Sequence, residues 1–170
     1  MPWRSRSCWS ASNTDYSAEV IVWCFSQHES LDGRGGLNAS ARWHTRGREI
    51  LYCAPNPATA VLEILVHSQV RELAALARSR FIKIAVPDEI PRQQIDESQL
   101  PSDWPRRTPV TRAWGDRWLR EWQSAILLVR SVLVPETYNV LINPRHVDAS
   151  QIQRLAVFPY PLDSRLVTRN

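Results

Sequence analysis

The sequence has no hydrophobic run long enough for a membrane span, which needs about 20 consecutive apolar residues. Its apolar stretches, such as residues 125–129, have the length of a strand. The first 17 residues carry arginines but no apolar core, so we do not expect a secretory signal there. Only three cysteines occur in 170 residues, at positions 8, 24 and 53, and none forms a CxxC pair. We therefore expect a soluble cytoplasmic protein without a disulfide framework.

Motifs for metal and nucleotide chemistry are also missing. The four histidines show neither an HExxH pattern nor the Cys/His spacing of a zinc site, so we expect no metal. Three of the five glycines lie in residues 31–37, without the spacing of a Rossmann or P-loop motif. Lys83 is the only lysine among 21 basic residues, and acidic residues are interspersed with the arginines. A dense basic stripe, typical of nucleic-acid binders, is therefore absent, and the net charge of +4 indicates a solvated basic surface or an anionic ligand or partner.

The 44% of hydrophobic residues are arranged mostly in short runs that favour strands. We predict strands at residues 20–25, 49–54, 81–86, 125–130, 132–134, 139–142 and 155–160, and helices at 57–70, 111–123 and 148–154. Strands outnumber helices and do not alternate with them regularly. The pattern therefore predicts an α+β fold, a single domain with a mixed, largely antiparallel sheet and short helices. We expect residues 1–18 to form a flexible arm, residues 19–170 to form the domain, and residues 88–109 to be an irregular crossing.

Two of the predicted helices have distinctive faces. Asn56 can cap the first helix, and Pro57 suits its first position. Its apolar face is predicted to comprise Ala58, Val61, Leu62, Leu65 and Val66. The second helix is rich in tryptophan, and the four-residue spacing of its indoles favours a packed face over a base-stacking surface: Trp114, Trp118 and Trp122.

Four polar residues lie beside apolar or aromatic residues in predicted helices, strands or turns. Glu63 interrupts the apolar helix segment ATAVLEILVH, and burying a carboxylate is costly unless it is paired or used. Arg42 precedes Trp43, Tyr52 lies in a predicted strand, and Ser131 separates two apolar runs. Each also has an ordinary interpretation, as a solvent-facing acid, a surface stacking contact, a core residue or a turn residue. Periodicity alone leaves both interpretations open.

Taken together, several motifs resemble one known family. The stretch GGLNASARWHTRGREILYCAPNPATAVLEILVH resembles the amino-terminal half of the RES domain, which supplies the toxin of RES–Xre toxin–antitoxin pairs. DWPRRTPVTRAWGDRWL is similar to the tryptophan and Gly-Asp helix region of that family. ILLVRSVLVPETYNVLINPRHVDASQIQ and PYPLDSRL are similar to its serine strand and closing segment. The resemblance covers roughly residues 20–166, in family order.

This resemblance implies a fold related to the diphtheria-toxin type of ADP-ribosyltransferase. It also implies an NAD+-consuming enzyme that cleaves the nicotinamide–ribose bond by hydrolysis or phosphorolysis, with NAD+ as substrate rather than cofactor. By motif position, the implied catalytic residues are Glu63, Arg42 and Tyr52, and the implied substrate-binding residues are Arg42, Tyr52 and Ser131.

These residue types suit that chemistry. Arg42 can bind phosphate or ribose oxygens through its planar fork of donors, and Tyr52 can stack on nicotinamide. Loss of nicotinamide leaves positive charge on the ribose, which the Glu63 carboxylate can stabilise. Ser131 can position the ribose or the attacking water or phosphate. Two features depart from the family pattern: an arginine that often follows the first strand's tryptophan is missing after Trp23, and residues 40–41 are Ser-Ala instead of Gly-Gly or Ser-Gly.

Several alternatives fit the same residues. A protein ADP-ribosyltransferase would use the same pocket with a protein side chain as acceptor. A protein of another class would be a catalytically inactive module that binds an antitoxin or a nucleic acid. The family pattern implies an Xre-like antitoxin as partner, NAD+ and inorganic phosphate as small-molecule partners, and homo- and hetero-oligomers with the antitoxin. It implies no direct contact with nucleic acid or membrane.

Overall fold

A computed structural model describes residues 19–67, 77–160 and 163 of the chain, except for the side chain of His67. Within these residues the strands are β1 (Glu19–Ser26), β2 (Leu51–Ala54), β3 (Arg80–Pro87), β4 (Arg92–Gln94), β5 (Ile126–Arg130), β6 (Tyr138–Ile142) and β7 (Gln153–Pro159). The α-helices are α1 (Gly35–Asn38), α2 (Pro57–His67) and α3 (Thr108–Glu121). Short 3₁₀-helices span Glu97–Gln99, Trp104–Arg106 and Val147–Gln151. The arm predicted at residues 1–18 and the end of the first helix beyond residue 67 lie outside this description.

The seven strands form one sheet in the order β4-β5-β6-β2-β1-β3-β7. Every neighbouring pair is antiparallel except β4 and β5, which run parallel. The prediction of an α+β fold with a mixed, largely antiparallel sheet is confirmed. In a sheet, residues directly opposite each other share a face. One face therefore carries Tyr52, Leu127, Val129 and Leu141, and both longer helices pack on it.

The opposite face carries the largest apolar cluster. It joins side chains from β1 and β3, such as Val22 and Ile84, with side chains from β5 and β6, such as Ile126 and Val140. Ile152, just after the last 3₁₀-helix, is part of the same cluster. Burial of such side chains contributes about 25 cal/mol per Å² of apolar surface removed from water. This cluster holds the sheet together beneath the layer of helices.

Three of the predicted elements differ from the structure. Residues 132–134 form a turn rather than a strand, because the Ser131 hydroxyl accepts hydrogen bonds from Leu133 N and Val134 N and so bends the chain. The crossing at residues 88–109 contains β4, which adds a parallel edge strand. The last predicted helix, at residues 148–154, is a 3₁₀-helix at Val147–Gln151 that the His146 side chain caps.

The two predicted helix faces are each partly wrong. In α2, the Asn56 carboxamide oxygen accepts a hydrogen bond from Thr59 N, which confirms the cap. The buried side of this helix, however, consists of Ala60, Val61, Ile64 and Leu65, while Val66 is 56% exposed. In α3, Trp118 is buried, but Trp122 lies past the helix end in the left-handed conformation and is 48% exposed.

Candidate active site

A cleft opens where two central strands separate. β1 and β2 pair only at Trp23 with Ala54 and at Cys24 with Cys53, and the remainder of β1 continues without pairing to β2. A cavity of about 470 Å³ occupies this split, and its walls include Phe25 and Tyr52 from the two strands. This volume falls within the range of about 300–1,000 Å³ that is usual for ligand pockets. The cleft is therefore large enough to hold a small organic ligand.

The Glu63 carboxylate lies in the wall of this cleft, on α2. Its Oε1 accepts two hydrogen bonds of 2.7 Å, one from the Ser131 hydroxyl and one from the Asn139 amide. Glu63 lies three residues after the buried Ala60, on the side of α2 that faces the sheet, which explains why it does not point to bulk solvent. A carboxylate held by fixed donors needs little reorganisation and can stabilise positive charge that develops in the cleft.

Ser131 lies behind that carboxylate. It follows the last residue of β5, it is 1% exposed, and it does not line the cavity. Its hydroxyl donates to Glu63 while it accepts from the turn at residues 133–134. The structure therefore gives Ser131 a positioning contact with Glu63. Its predicted contact with substrate stays a prediction.

Arg42 lines the cleft on a loop that α3 holds in place. Its Nη1 donates to the carbonyl oxygen of Pro105 at 2.9 Å. The Thr111 hydroxyl donates to the Arg42 carbonyl oxygen at 2.6 Å, and Arg112 Nε donates to the Ala41 carbonyl oxygen at 2.8 Å. Gly115 completes this contact surface, because a Cβ atom at that position would be 1.8 Å from the Trp43 carbonyl oxygen. The Gly-Asp helix motif thus fixes the backbone that presents Arg42.

Tyr52 lines the cleft through a ring held at its hydroxyl by two partners. The hydroxyl oxygen is 3.2 Å from Trp43 N, which donates to it, and 2.9 Å from Nδ1 of His44. The other ring nitrogen of His44, Nε2, is 2.9 Å from the Ala39 carbonyl oxygen, which can only accept. Nε2 therefore carries the proton of the neutral ring, and Tyr52 donates its hydroxyl proton to Nδ1.

Burial controls the ionisation of this pair. Desolvation lowers the pKa of His44, and it raises the pKa of the Tyr52 hydroxyl. Both groups are therefore neutral at pH 7, as their hydrogen bonds require. The neighbouring charges act on His44 in opposite senses, because Asp116 raises its pKa and Arg112 lowers it.

The cleft carries more positive than negative side chains. Its walls include the guanidinium groups of Arg34, Arg42 and Arg130, against the carboxylates of Asp32 and Glu63. Arg34 pairs with Asp32, and Arg130 pairs with Glu97 outside the cavity. After these pairings, Arg42 is the arginine of the cleft wall best placed to bind an anionic group of a ligand.

The fold brings Arg42, Tyr52 and Glu63 to one cavity, and it places Ser131 directly behind Glu63. Sequence reasoning missed Asn139 and His44, which hold Glu63 and Tyr52. The only signal for Asn139 was an amide in an apolar strand, and the signal for His44 was its place beside Arg42 and Trp43 in the motif ARWH. Asp116, the acid of the Gly-Asp motif, pairs with Arg48 at 2.8 Å and accepts a hydrogen bond from Thr45 N.

Neither a metal centre nor a membrane span occurs in the part of the chain that the structure describes. Among residues 19–67 and 77–160, no three His, Cys, Asp or Glu side chains are grouped so that they could hold a metal ion. Within the same two ranges, no helix is long and apolar enough to span a membrane.

Comparison with known protein families identifies the chain. The family model for the RES domain matches residues 7–163, which is most of the sequence. The chain belongs to the RES domain family. The match starts at residue 7, within the segment that the sequence analysis places outside the resemblance.

Two curated toxins are similar to this chain over most of their length. "Toxin Res" of Pseudomonas putida is 36% identical over 147 residues, which are 86% of this chain and 99% of the relative. "Prs ADP-ribosylating toxin" of a Sphingobium species is 34% identical over 146 residues, 83% of this chain and 89% of the relative. The chain is thus a RES-domain protein of the toxin class.

A solved structure shares the fold. The crystal structure of the Mycobacterium tuberculosis MbcT–MbcA toxin–antitoxin complex contains a chain that superposes with a TM-score of 0.60. The match covers 85% of each chain at 12% sequence identity. At that identity the likeness establishes the RES fold alone.

Proposed function

We propose that this RES-domain protein is the NAD+-consuming toxin of a bacterial toxin–antitoxin pair. It cleaves the bond between nicotinamide and ribose and passes the ADP-ribosyl group to water or phosphate. One observation carries the proposal: the Glu63 carboxylate, held by Ser131 and Asn139, lies in the same cleft as Arg42 and Tyr52.

The chemistry of NAD+ fits these groups. Nicotinamide leaves as a neutral base, and the ribose takes on positive charge in the transition state. Glu63 stabilises this charge because its carboxylate is fixed before the reaction begins. Arg42 binds the pyrophosphate or ribose oxygens, and the Tyr52 ring stacks on the nicotinamide and keeps water away from it.

A second candidate uses the same cleft with a different acceptor. The Sphingobium relative is called an ADP-ribosylating toxin and is 34% identical to this chain. Transfer of ADP-ribose to a protein side chain would need the same activation of the nicotinamide–ribose bond. The acceptor would then enter from the open side of the cleft.

The relatives also support a protein partner. Curated relatives are called toxins, and the structural neighbour comes from a toxin–antitoxin complex. We propose that an Xre-like antitoxin binds this chain in the cytoplasm and blocks the cleft until it is removed. In this arrangement the antitoxin binds DNA and the toxin does not.

The decisive measurement is release of nicotinamide from NAD+ by the purified protein, with and without phosphate. Glu63→Gln keeps the shape of the side chain and its acceptor oxygen but removes the charge. We expect this substitution to lower the rate by about 10²–10³-fold, the usual effect of losing one transition-state electrostatic contact. Glu89→Gln, which removes an exposed carboxylate from the turn after β3, is the matched control and should retain the wild-type rate.

Mass spectrometry of the products separates the acceptors. Free ADP-ribose indicates water, ADP-ribose 1″-phosphate indicates phosphate, and a modified protein indicates transfer. If a cell extract yields a modified protein while the purified chain releases no nicotinamide, the second candidate replaces the first. If neither product appears, the chain is a module that binds its antitoxin without catalysis.

A further inference from the structure

Two of the three cysteines of the chain lie opposite each other at the apex of the cleft. Cys24 of β1 and Cys53 of β2 are direct partners in the antiparallel register. Their pair is the last one before the two strands separate. Both residues border the cavity, and their side chains, each only about one-twentieth exposed, belong to the apolar cluster on the opposite face of the sheet.

The two thiols are in contact, and they connect to Tyr52. The Cys53 thiol forms a hydrogen bond with Cys24, and this bond, together with burial, raises the pKa of Cys53. The Cys24 thiol in turn donates to the Tyr52 carbonyl oxygen at 3.2 Å. A change at either sulfur therefore reaches the backbone of a residue whose ring lines the cleft.

The spacing of the strands suits a disulfide. Residues directly opposite in an antiparallel pair have Cα atoms about 4.5–5.5 Å apart. Disulfides span Cα distances of about 4.4–6.8 Å, so closure requires only small movements. Both residues border the cavity, so a small oxidant that enters the cleft comes close to them.

We propose that Cys24 and Cys53 are a modification site, a dithiol that hydrogen peroxide closes to a disulfide, and that closure weakens NAD+ binding in the cleft. The second half of this inference rests on the proposed function. Closure removes the Cys24 hydrogen that the Tyr52 carbonyl accepts, and it draws the two sulfurs to about 2.05 Å at the point where the strands part. Both effects change the wall that carries the Tyr52 ring.

The reaction balances with one molecule of peroxide. The Cys24 sulfur attacks one peroxide oxygen and breaks the O–O bond, so that a sulfenic acid forms and the other oxygen leaves as water with the thiol proton. The Cys53 sulfur then attacks the Cys24 sulfur, forms the S–S bond and releases a second water with its own proton. Two electrons pass from the sulfurs to the peroxide, and a dithiol such as dithiothreitol reverses the change.

The test uses the full chain with Cys8→Ser, which leaves only these two cysteines. After treatment with peroxide we expect intact-mass spectrometry to show a loss of about 2 Da, restored by dithiothreitol. Added Glu63→Gln slows turnover by about 10²–10³-fold, and calorimetry on this variant should show about tenfold weaker NAD+ binding in the oxidised form. Cys53→Ser in the same background should abolish both responses, each measured against that variant's own reduced state. If this variant does not fold, Cys24→Ser replaces it, because serine keeps a donor for the Tyr52 carbonyl.

The disulfide and its proposed effect on NAD+ binding can each fail separately. A mass gain from sulfinic or sulfonic acid, or no change in mass, overturns the disulfide. A disulfide without a change in NAD+ affinity overturns its effect on the cleft. If the reduced protein binds no NAD+ and releases no nicotinamide, the proposed function fails together with that effect, whereas the mass measurement still decides the modification.

Discussion

One oxygen of the Glu63 carboxylate accepts hydrogen bonds from a hydroxyl and an amide; Ser131, the hydroxyl donor, directly follows β5, and Asn139, the amide donor, lies in β6. Charge-assisted hydrogen bonds of this kind are shorter and about twice as strong as neutral ones. Glu63, which performs the proposed chemistry, is therefore fixed by Ser131 and Asn139. At this scale, the residues that position Glu63 can be separated from the residues that line the cleft.

Ser131→Ala tests the positioning contact. The substitution removes one donor to Glu63 and the acceptor for two backbone amides, so we expect a loss of about 1–3 kcal/mol of stability. For nicotinamide release we expect kcat to fall with little change in KM, because the transition state needs the carboxylate in place. Steady-state kinetics on folded protein at reduced temperature check this. A raised KM with normal kcat would instead support the predicted contact of Ser131 with substrate.

His44 gives the stability of the fold a dependence on pH. Its folded-state pKa is lowered by burial, so between that value and 6.5 the unfolded chain binds more protons than the folded one. Its contribution to stability is thus fully present above pH 6.5 and is lost as the pH falls below it. Denaturant unfolding at pH 7.5 and 5.5 should show that the free energy of unfolding falls less for His44→Asn than for the wild type when the pH is lowered. The amide oxygen that this substitution introduces can replace Nδ1 as the acceptor for Tyr52, but it does not titrate. An equal loss in both proteins would contradict this role.

At the scale of elements, α3 is the support for the arginine loop. Residues one turn apart on this helix, Thr111 and Gly115, contact the backbone of Arg42 and Trp43. Arg112 and Asp116 extend the same surface to Ala41 and Thr45. The helix thus acts on the cleft without lining it.

Gly115→Ala should therefore disrupt this support. The new Cβ would overlap the Trp43 carbonyl oxygen, so the helix or the loop must move. We expect a loss of at least about 3 kcal/mol, comparable to the strongest overpacking effects in cores, and a loss of nicotinamide release. Gly35→Ala, where a Cβ meets no atom within 4 Å, is the control and should stay within about 0.5 kcal/mol of the wild type. Guanidinium unfolding measures both, and equal effects would contradict the argument.

At the scale of the whole molecule, the cleft divides the sheet. β1, β3 and β7 lie on one side and β2, β6, β5 and β4 on the other, and the two halves meet through the two residue pairs of β1 and β2. The apolar cluster on the opposite face also spans both halves. A ligand in the cleft would touch both halves and so link them.

NAD+ should for this reason stabilise the folded protein. With Glu63→Gln to slow turnover, an NAD+ concentration of about 100 times Kd should add about 2.7 kcal/mol to the free energy of unfolding. Thermal unfolding with and without NAD+ measures the effect. Arg42→Ala in the same background should remove most of it. Stabilisation of equal size in both variants would mean that NAD+ binds elsewhere.

The sequence by itself determined the class of fold and the residues of the cleft that the family motifs carry. Runs such as residues 20–25 and 81–86 are long and β-branched enough to specify strands wherever they pack. The capping pattern at Asn56 likewise specified the start of α2, because a cap depends only on residues near it in the chain. Arg42, Tyr52 and Glu63 were found through motifs rather than through periodicity.

Only the tertiary structure decided how these residues are held. Glu63 meets Ser131 across 68 positions of sequence and Asn139 across 76, and Arg42 meets Thr111 across 69. Local periodicity does not predict such contacts, since they depend on which strands become neighbours. For the same reason the turn at residues 132–134 was mistaken for a strand. Its apolar side chains fit a strand, but the Ser131 hydroxyl bends the backbone behind the carboxylate that it holds.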